Sequence, residues 1–230
     1  MGGGSSYVPR FGQMESLVHD VAASVFRLTR QDGSFTEFGN PLDRRRLRAL
    51  NVETVLAEAP IVIEGQAFTT GVIPRTSIEH VLPNTWVEYG VRDGVGCDTN
   101  AYMNHHFSAD ELAGKPEPDQ HRHEHAICFH LGDRGLVVIS SCGHAGIINT
   151  LRRTQEVAGV NKVYALIGGF HLAPAPDDHL RQVMAELKKF DIEHVFPMHC
   201  SGQNFIDLAK QEMPEKLVLC ATGSTFTFTT

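Results

Sequence analysis

Hydrophobic and polar positions follow two different periods along this chain, and each period predicts a different kind of element. Residues 14–27 place their apolar side chains at the spacing of one helical face, which predicts a helix. Residues 52–74 are apolar runs broken at Ala-Pro and Glu-Gly, a pattern typical of short strands. Further along, apolar strands alternate with amphipathic helices. This order predicts an α/β (α+β) chain whose sheets carry helices on the outside.

The second half of the sequence predicts elements with sharp boundaries. Residues 126–140 indicate a β-hairpin that turns at Gly-Asp-Arg-Gly, and the helix that follows ends at Gly159. After that helix the pattern predicts, in chain order, a strand at 162–169, a helix at 176–190, a strand at 192–198, a helix at 204–213 and closing strands at 216–221 and 225–230.

Composition and charge narrow the classes of protein that fit. Of the 230 residues, 42% are hydrophobic, which is enough for one core. We expect a flexible Gly/Ser-rich tail at 1–13, without the apolar segment of a signal peptide, and one domain at 14–230. A net charge of −7 gives no basic surface for nucleic acid, and no apolar run is long enough to span a membrane. The five scattered cysteines argue against a disulfide framework and fit a reducing cytoplasm.

Histidine is unusually abundant, with thirteen copies, and neutral imidazole is the commonest metal ligand in proteins. Five candidate residues follow predicted strands: Cys142 and His144 after one strand, His171 after the next, and His199 and Cys200 after the last. Ligands of α/β sheets bind beyond the carboxyl ends of strands, so neighbouring strands would bring these side chains to one rim. Two interpretations stay open: a metal site, or separate surface residues and helix caps.

Residues 90–125 lack a clear period and are rich in Gly, Asp, Pro and His. A loop of this length in a compact domain is usually functional or disordered. At its end, in the sequence QHRHEHA, an extended chain would place His121, His123 and His125 on one face and Glu124 on the other. The segment is therefore either a further metal-binding candidate or the polar start of a strand.

Several motifs together carry a family resemblance. The segments TGVIPR, HEHAICFHLGDRGLVVISSCGHAGIINTL, NKVYALIGGFHL, VFPMHCSG and GSTFTF, in this order, resemble the metallo-β-lactamase superfamily. Over about residues 40–230 the chain looks most like the branch of metal-dependent hydrolases related to the dihydropterin-methyl-ribofuranosylaminobenzene-phosphate synthases. The resemblance implies an αββα sandwich with one or two divalent ions, zinc before iron or manganese, which activate a water at one edge of the paired sheets. It also implies a small, phosphorylated or pterin-like substrate.

The resemblance also implies roles for single residues. His199 matches the last histidine ligand of the superfamily, and Cys142 and His144 stand where many members carry a bridging aspartate, with His144 preferred. A deprotonated Cys142 would favour zinc as the softer ion. The implied metal ligands are His144, His199, Cys142, His171 and His123, the implied substrate contacts are His171, Gly169 and Ser201, and Glu124 is the candidate catalytic group.

The most recognised signature of the superfamily, His-x-His-x-Asp-His, is absent from this sequence. The chain therefore resembles the downstream part of the family without its first strands, and an unpaired sheet edge would favour a homo-oligomer. Three interpretations stay open: a truncated chain, which the intact later motifs favour, a degenerate scaffold, or a site rebuilt around HRHEH. We expect a metal-dependent hydrolase with weak catalysis, and a non-catalytic metal-binding scaffold is the alternative.

Overall fold

The computed structural model of the protein describes residues 25–29, 33–38, 49–52, 58–81, 85–88 and 117–229. The strands in these ranges are β1 (Val25–Thr29), β2 (Phe35–Phe38), β3 (Val62–Glu64), β4 (Ala67–Thr69), β5 (Thr85–Glu88), β6 (Glu117–Pro118), β7 (Ala126–His130), β8 (Leu136–Ser140), β9 (Val163–Gly168) and β10 (Ile192–Pro197). The helices are α1 (Ile147–Ala158), α2 (Asp177–Leu187) and α3 (Gln203–Glu212). The hairpin and the alternation of strands and helices are as the sequence predicts.

These strands form two sheets. The smaller sheet has the order β2-β1-β5-β6, and all of its neighbours are antiparallel. The larger sheet has the order β10-β9-β8-β7-β4-β3. Within it β10, β9 and β8 run parallel, whereas β8, β7, β4 and β3 pair in an antiparallel way. The parallel part is the half of the sheet that alternates with helices along the chain.

The larger sheet is buried on both faces at its centre, because its central strands are continuous apolar runs. Side chains of a strand point to alternate faces. On one face Leu136 packs in a core that includes Leu151 of α1 and Met184 of α2. On the other face Val137 packs with Phe196 of β10. The helices therefore cover one face of this sheet, and the sheet is a rigid base for the loops at its ends.

The parallel order of β8, β9 and β10 brings three strand ends to one edge of the larger sheet, which we call the rim. Ser140 pairs with Gly168, and Gly168 pairs with Pro197, so the last residues of the three strands lie side by side. Because β7 runs antiparallel to β8, its first residue, Ala126, pairs with Ser140. The loops that follow β8, β9 and β10 and the loop that precedes β7 therefore meet at the rim.

The first turn of α1 is held by a side chain that lies far away in the sequence. Glu79 is buried, and its carboxylate accepts hydrogen bonds from the backbone N–H groups of Ile147 (2.8 Å), Ile148 (2.9 Å) and Asn149 (3.2 Å). The side-chain oxygen of Asn149 accepts in turn from the N–H of Ser77 (2.8 Å). These bonds satisfy N–H groups that have no intrahelical partner, and a carboxylate complements the helix dipole there.

The predicted helix at 14–27 is wrong where the structure describes it. Val25 and Phe26, its last apolar residues, belong to β1. Both pair with β5, and Phe26 also pairs with β2, so strand pairing prevails over the helical spacing of the apolar residues. Residues 14–24 lie outside the described residues.

The predicted closing strands are wrong as well. Leu217 forms an isolated bridge with Val195, and residues 225–229 form no strand. Phe226 instead packs edge-to-face on Phe196 of β10, with ring centroids 4.9 Å apart. The alternation of apolar residues here reflects side chains that lie on the face of the sheet opposite the helices, and not backbone pairing.

The predicted tail at 1–13 and the start of the domain at 14 fall outside the described residues, and these boundaries stay predictions. Within the described ranges no helix is both long and apolar enough to cross a bilayer.

Candidate metal centre

Cys142, His199 and Cys200 meet at the rim. Cys142 lies in the loop after β8, and His199 and Cys200 begin the short 3-10 turn after β10. Sγ of Cys142 lies 3.2 Å from Nε2 of His199, and the ligand atoms of all three residues lie within 4.8 Å of one another. Among the described residues, these three form the group whose possible ligand atoms lie close enough together to hold a metal ion. We call this group the Cys/His cluster. The resemblance implied two of its members and left out Cys200, although Cys200 directly follows His199.

The Cys/His cluster can pack closely on the loop after β9 because residue 169 is a glycine. A Cβ atom there would lie 2.5 Å from Nε2 of His199 and 2.6 Å from Sγ of Cys200, well inside van der Waals contact. The loop after β8 approaches equally closely: Gly143 has a φ of +76°, and a Cβ there would lie 2.8 Å from the carbonyl oxygen of Gly169. The residues present therefore fit a metal ion. The predicted contact of Gly169 with a substrate stays a prediction.

The thiol of Cys200 is placed to lose its proton. Hydrogen bonding to the Cys142 thiol, followed by contacts with His171, lowers the pKa of Cys200 well below that of a free cysteine, although burial opposes the shift. In its protonated form Cys200 donates to the carbonyl oxygen of Cys142 over 3.2 Å. The thiolate is the form of cysteine that binds metal ions. The described cysteines are not paired in disulfides.

Three imidazoles stack beside the Cys/His cluster. The ring centroids of His121 and His144 are 4.0 Å apart, and those of His144 and His171 are also 4.0 Å apart. His123 lies next to this histidine stack, 5.8 Å from the ring of His121. Burial, helped by neighbouring histidines, lowers the pKa of His144 to about 3 and that of His121 further still. Both rings are therefore neutral at pH 7, and Nδ1 of His144 has no hydrogen-bond partner among the described residues.

The HRHEH segment is a turn and not the extended chain that the sequence predicts. His121 has a φ of +47°, and its carbonyl oxygen accepts from the N–H of Glu124 (3.1 Å). The carboxylate of Asp119 accepts from the N–H of His121 (2.7 Å), a local bond that stabilises such a turn. The prediction that His121, His123 and His125 share one face is therefore wrong. His121 joins the histidine stack, whereas His125 is buried with neither ring nitrogen hydrogen-bonded to a described residue.

Glu124 and Ser201 connect the loops of the rim to one another. Glu124 is 3% exposed, and its carboxylate accepts a hydrogen bond from the N–H of Ala145. Ser201 is fully buried, accepts from the N–H of Phe170 (3.2 Å) and donates to the carbonyl oxygen of Gly168 (3.3 Å). These contacts favour structural roles. The catalytic role of Glu124 and the substrate contact of Ser201 stay predictions.

A cleft opens beside the histidine stack, and two histidines that the sequence did not single out line it. His80 and His179 lie with their ring centroids 4.8 Å apart, His179 in the first turn of α2. The stack residues His121, His144 and His171 line the same cleft. Its volume is about 20 Å³, which is room for about one water molecule among these imidazoles. No local signal could identify this pair, because only folding brings residues 80 and 179 together.

We expect the metal-free protein to lose stability in mild acid partly through His125. Burial lowers the pKa of His125 from 6.5 to about 4, so the unfolded state takes up the proton first as the pH falls, and stability is lost between these values. This corresponds to roughly 2 kcal/mol between pH 7 and pH 5. Urea unfolding of chelator-treated protein at both pH values measures it.

The matched variants are His125→Leu, which cannot titrate, and His130→Leu at an exposed position of β7. His125→Leu should lose less stability on acidification than the parent, and His130→Leu should behave as the parent does. Burial raises the pKa of Asp119 to about 6, so this group makes the protein more stable as the pH falls. The contribution of His125 is therefore measured as the difference in pH dependence between the variant and the parent. An unchanged pH dependence in His125→Leu would contradict the assignment.

Parts of the sequence are similar to known proteins. No model of a known protein family matches the chain. Over 96 residues, or 42% of the chain, it is 31% identical to 7,8-dihydropterin-6-methyl-4-(β-D-ribofuranosyl)-aminobenzene-5′-phosphate synthase of Methanocaldococcus jannaschii, and the match spans 33% of that protein. An uncharacterized protein of the same organism is 33% identical over 66 residues, which are 29% of this chain and 24% of that protein. The matches thus span about a third or less of the length of these curated relatives.

The fold has a counterpart among solved structures. The crystal structure of Tm1679, a metal-dependent hydrolase of the β-lactamase superfamily, superposes with a TM-score of 0.61 at 22% identity. The similarity covers 78% of this chain and 59% of that one. The fold is of the metallo-β-lactamase type. The predicted fold class is therefore confirmed, whereas identity at this level carries no conclusion about the substrate.

Proposed function

We propose that this protein is a metal-dependent hydrolase of the metallo-β-lactamase superfamily that acts on a small, phosphorylated or pterin-like substrate. The observation that carries the proposal is the Cys/His cluster, where ligand atoms of Cys142, His199 and Cys200 converge at the carboxyl ends of parallel strands. Ligand sites of α/β sheets lie at such ends. The superposition on a metal-dependent hydrolase supports the same proposal.

The proposed cofactor is a divalent ion, with zinc ahead of iron or manganese. His199 is exposed, so the cluster is reachable from solvent, and Gly169 lets His199 and Cys200 pack closely together. When bound, such an ion supplies Lewis-acid chemistry, since it polarises a substrate oxygen and lowers the pKa of a water that it holds. The resemblance also implies His144, His171 and His123 as ligands, and these assignments stay predictions.

The chain's own residues would bind and orient the substrate. Neutral His144 can donate a hydrogen bond through one ring nitrogen and accept through the other, which suits a phosphate oxygen or a pterin edge, whereas Nδ1 of His121 already lies 3.3 Å from the carboxylate of Asp119. His80 and His179 extend the same lining away from the cluster. The name of the curated relative, a dihydropterin-linked phosphate synthase, supports this substrate class and leaves a transfer reaction of that kind open to the same test.

A non-catalytic metal-binding scaffold is the second candidate, and one observation favours it. The carboxylate of Glu124, the candidate for handling a proton, accepts the N–H of Ala145 inside the structure and so is committed to holding two loops together. A hydrolase of this type needs a group that orients the attacking water. The predictions of a cytoplasmic location, a homo-oligomer and a truncated chain stay predictions.

Metal-dependent turnover separates the two candidates. We expect the zinc-loaded protein to hydrolyse bis(p-nitrophenyl) phosphate slowly, and chelation to remove that activity. His199→Ala should lower metal affinity and turnover by about 100-fold or more, because even residues that only orient a ligand contribute 10–100-fold. His194→Ala, a half-buried position on β10, is the matched control and should resemble the parent.

Stoichiometric metal without turnover would support the scaffold instead of the hydrolase. Parent protein that binds no stoichiometric metal would contradict both candidates. Turnover that persists in His199→Ala would show that the ion, if it acts, is held elsewhere.

A further inference from the structure

We infer that the ion at this centre is held by a two-sulfur, one-imidazole donor set, with Cys200 as a ligand beside Cys142 and His199, and that the centre therefore selects zinc over manganese. The inference rests on the proposed function, since it assigns ligands within the proposed metal centre. It goes beyond the resemblance, which implies one sulfur at most and several histidines.

The distances carry the first step. In a tetrahedral zinc site, a sulfur at about 2.3 Å and a nitrogen at about 2.0 Å from the ion lie about 3.5 Å from each other. Sγ of Cys142 lies 3.2 Å from Nε2 of His199, and the third ligand atom, Sγ of Cys200, is within 4.8 Å of both. The three atoms therefore need only small shifts to take up three corners of such a site. The fourth corner remains open, as catalytic zinc sites require.

Gly169 carries the second step. Its backbone is not in the left-handed region, so the conformation itself does not call for a glycine. What calls for a glycine is the neighbourhood, because a Cβ would press on Nε2 of His199 and on Sγ of Cys200 at once. The glycine therefore lets two candidate ligand atoms pack directly against the backbone and so close to one another, and one of those atoms is the sulfur of Cys200.

The histidine stack carries the third step. His121, His144 and His171 pack ring against ring in this order, with 4.0 Å between neighbouring centroids. Among the residues that the structure describes, no second group of three ligand atoms converges there. The stack is therefore a wall of the cleft, and the ion belongs to the Cys/His cluster. Thiolates select soft ions such as zinc, whereas manganese prefers oxygen ligands.

Cobalt(II) tests the donor set, because it replaces zinc and reports bound thiolates through a sulfur-to-cobalt charge-transfer band. We expect the chelator-treated, reduced parent protein to bind one equivalent with this band, zinc to abolish the band and manganese to leave it. Cys200→Ser should lose about half of the band and at least about tenfold in affinity, the lower bound that loss of even a ligand-orienting residue sets. Cys220→Ser is the control outside the cluster and should match the parent.

A second measurement on the parent does not depend on the folding of a variant. Zinc should protect Cys142 and Cys200, and not Cys220, from alkylation by iodoacetamide, as read by peptide mass spectrometry. Cobalt bound without the band, or alkylation of Cys200 at one rate with and without zinc, would overturn the donor set and leave the proposed metal centre standing. No stoichiometric cobalt binding in the parent would overturn both.

Discussion

Replacing Gly169 with alanine is expected to abolish metal binding while the protein stays folded. The new Cβ would lie 2.5 Å from Nε2 of His199 and 2.6 Å from Sγ of Cys200, so it would push both candidate ligands out of their positions. Both side chains can rotate away, which relieves the clash but scatters the ligands. Overpacking of this kind costs about 1–3 kcal/mol of stability. We expect metal affinity to fall by about 100-fold or more, beyond the cost of losing a ligand-orienting residue.

Zinc affinity by competition with a chromophoric chelator and the free energy of unfolding in urea are measured on the same samples. Gly65→Ala is the matched control, because Gly65 has a φ of +54° in the turn after β3 and nothing lies within 4 Å of a Cβ there. That variant should lose about 1–2 kcal/mol of stability through backbone strain and keep its zinc affinity. Parent-like zinc affinity in Gly169→Ala would contradict the placement of the ion.

The meeting of these loops at the rim could be predicted from the sequence, because it depends only on the order of strands and helices along the chain. Parallel strands joined by helices end at one edge, so the residues that follow them meet there whatever the details of packing. Cys142, His144, His171 and His199 each follow such a strand, and the structure brings them to one place. The hairpin of β7 and β8 was equally predictable from its turn and its apolar runs.

The contacts within the rim could not be predicted, because they depend on bonds between distant or irregular segments. The turn at His121 is fixed by the carboxylate of Asp119 two residues earlier, and the alternation of histidines conceals it. Phe26 lies at the end of a helical pattern, yet it pairs with Phe38 of β2 and with Val87 of β5. Cys200 follows His199 in the sequence, but neighbouring residues alone do not indicate a shared metal site. The structure adds the sulfur of Cys142, which lies within 4.8 Å of the ligand atoms of both.

Glu79 is the clearest case of a residue that the sequence conceals, and its loss is expected to have the largest effect on stability. Its carboxylate accepts hydrogen bonds from three backbone N–H groups of α1 that start 68 residues later in the chain, and no local pattern announces such a partner. Burial raises the pKa of Glu79 in spite of these bonds, which means that removing the carboxylate from water has a cost in free energy. In Glu79→Gln an NH₂ group takes the place of one acceptor oxygen. This group is itself a donor, so it cannot accept the hydrogen bonds of the backbone N–H groups of α1.

We expect Glu79→Gln to lower the free energy of unfolding by about 3 kcal/mol, since hydrogen bonds to a charged, buried acceptor contribute about 1.5–3 kcal/mol each and the freed N–H groups have no other partner in the helix. Urea titration followed by far-ultraviolet circular dichroism measures it. Glu156→Gln is the control on the same helix, because Glu156 is 67% exposed and forms a surface ion pair with Arg153, and it should cost less than about 0.5 kcal/mol.

The same substitution also probes the site, because α1 begins directly after the loop that carries Cys142. If Glu79 fixes that loop, Glu79→Gln should weaken zinc binding at a temperature where the protein is still fully folded, whereas Glu156→Gln should not. A Glu79→Gln protein as stable as the Glu156→Gln control would show that water or the neighbouring side chain of Ser77, which donates to the carboxylate over 3.1 Å, can take over the N–H groups of α1. The carboxylate would then be a replaceable cap and not the anchor of the rim.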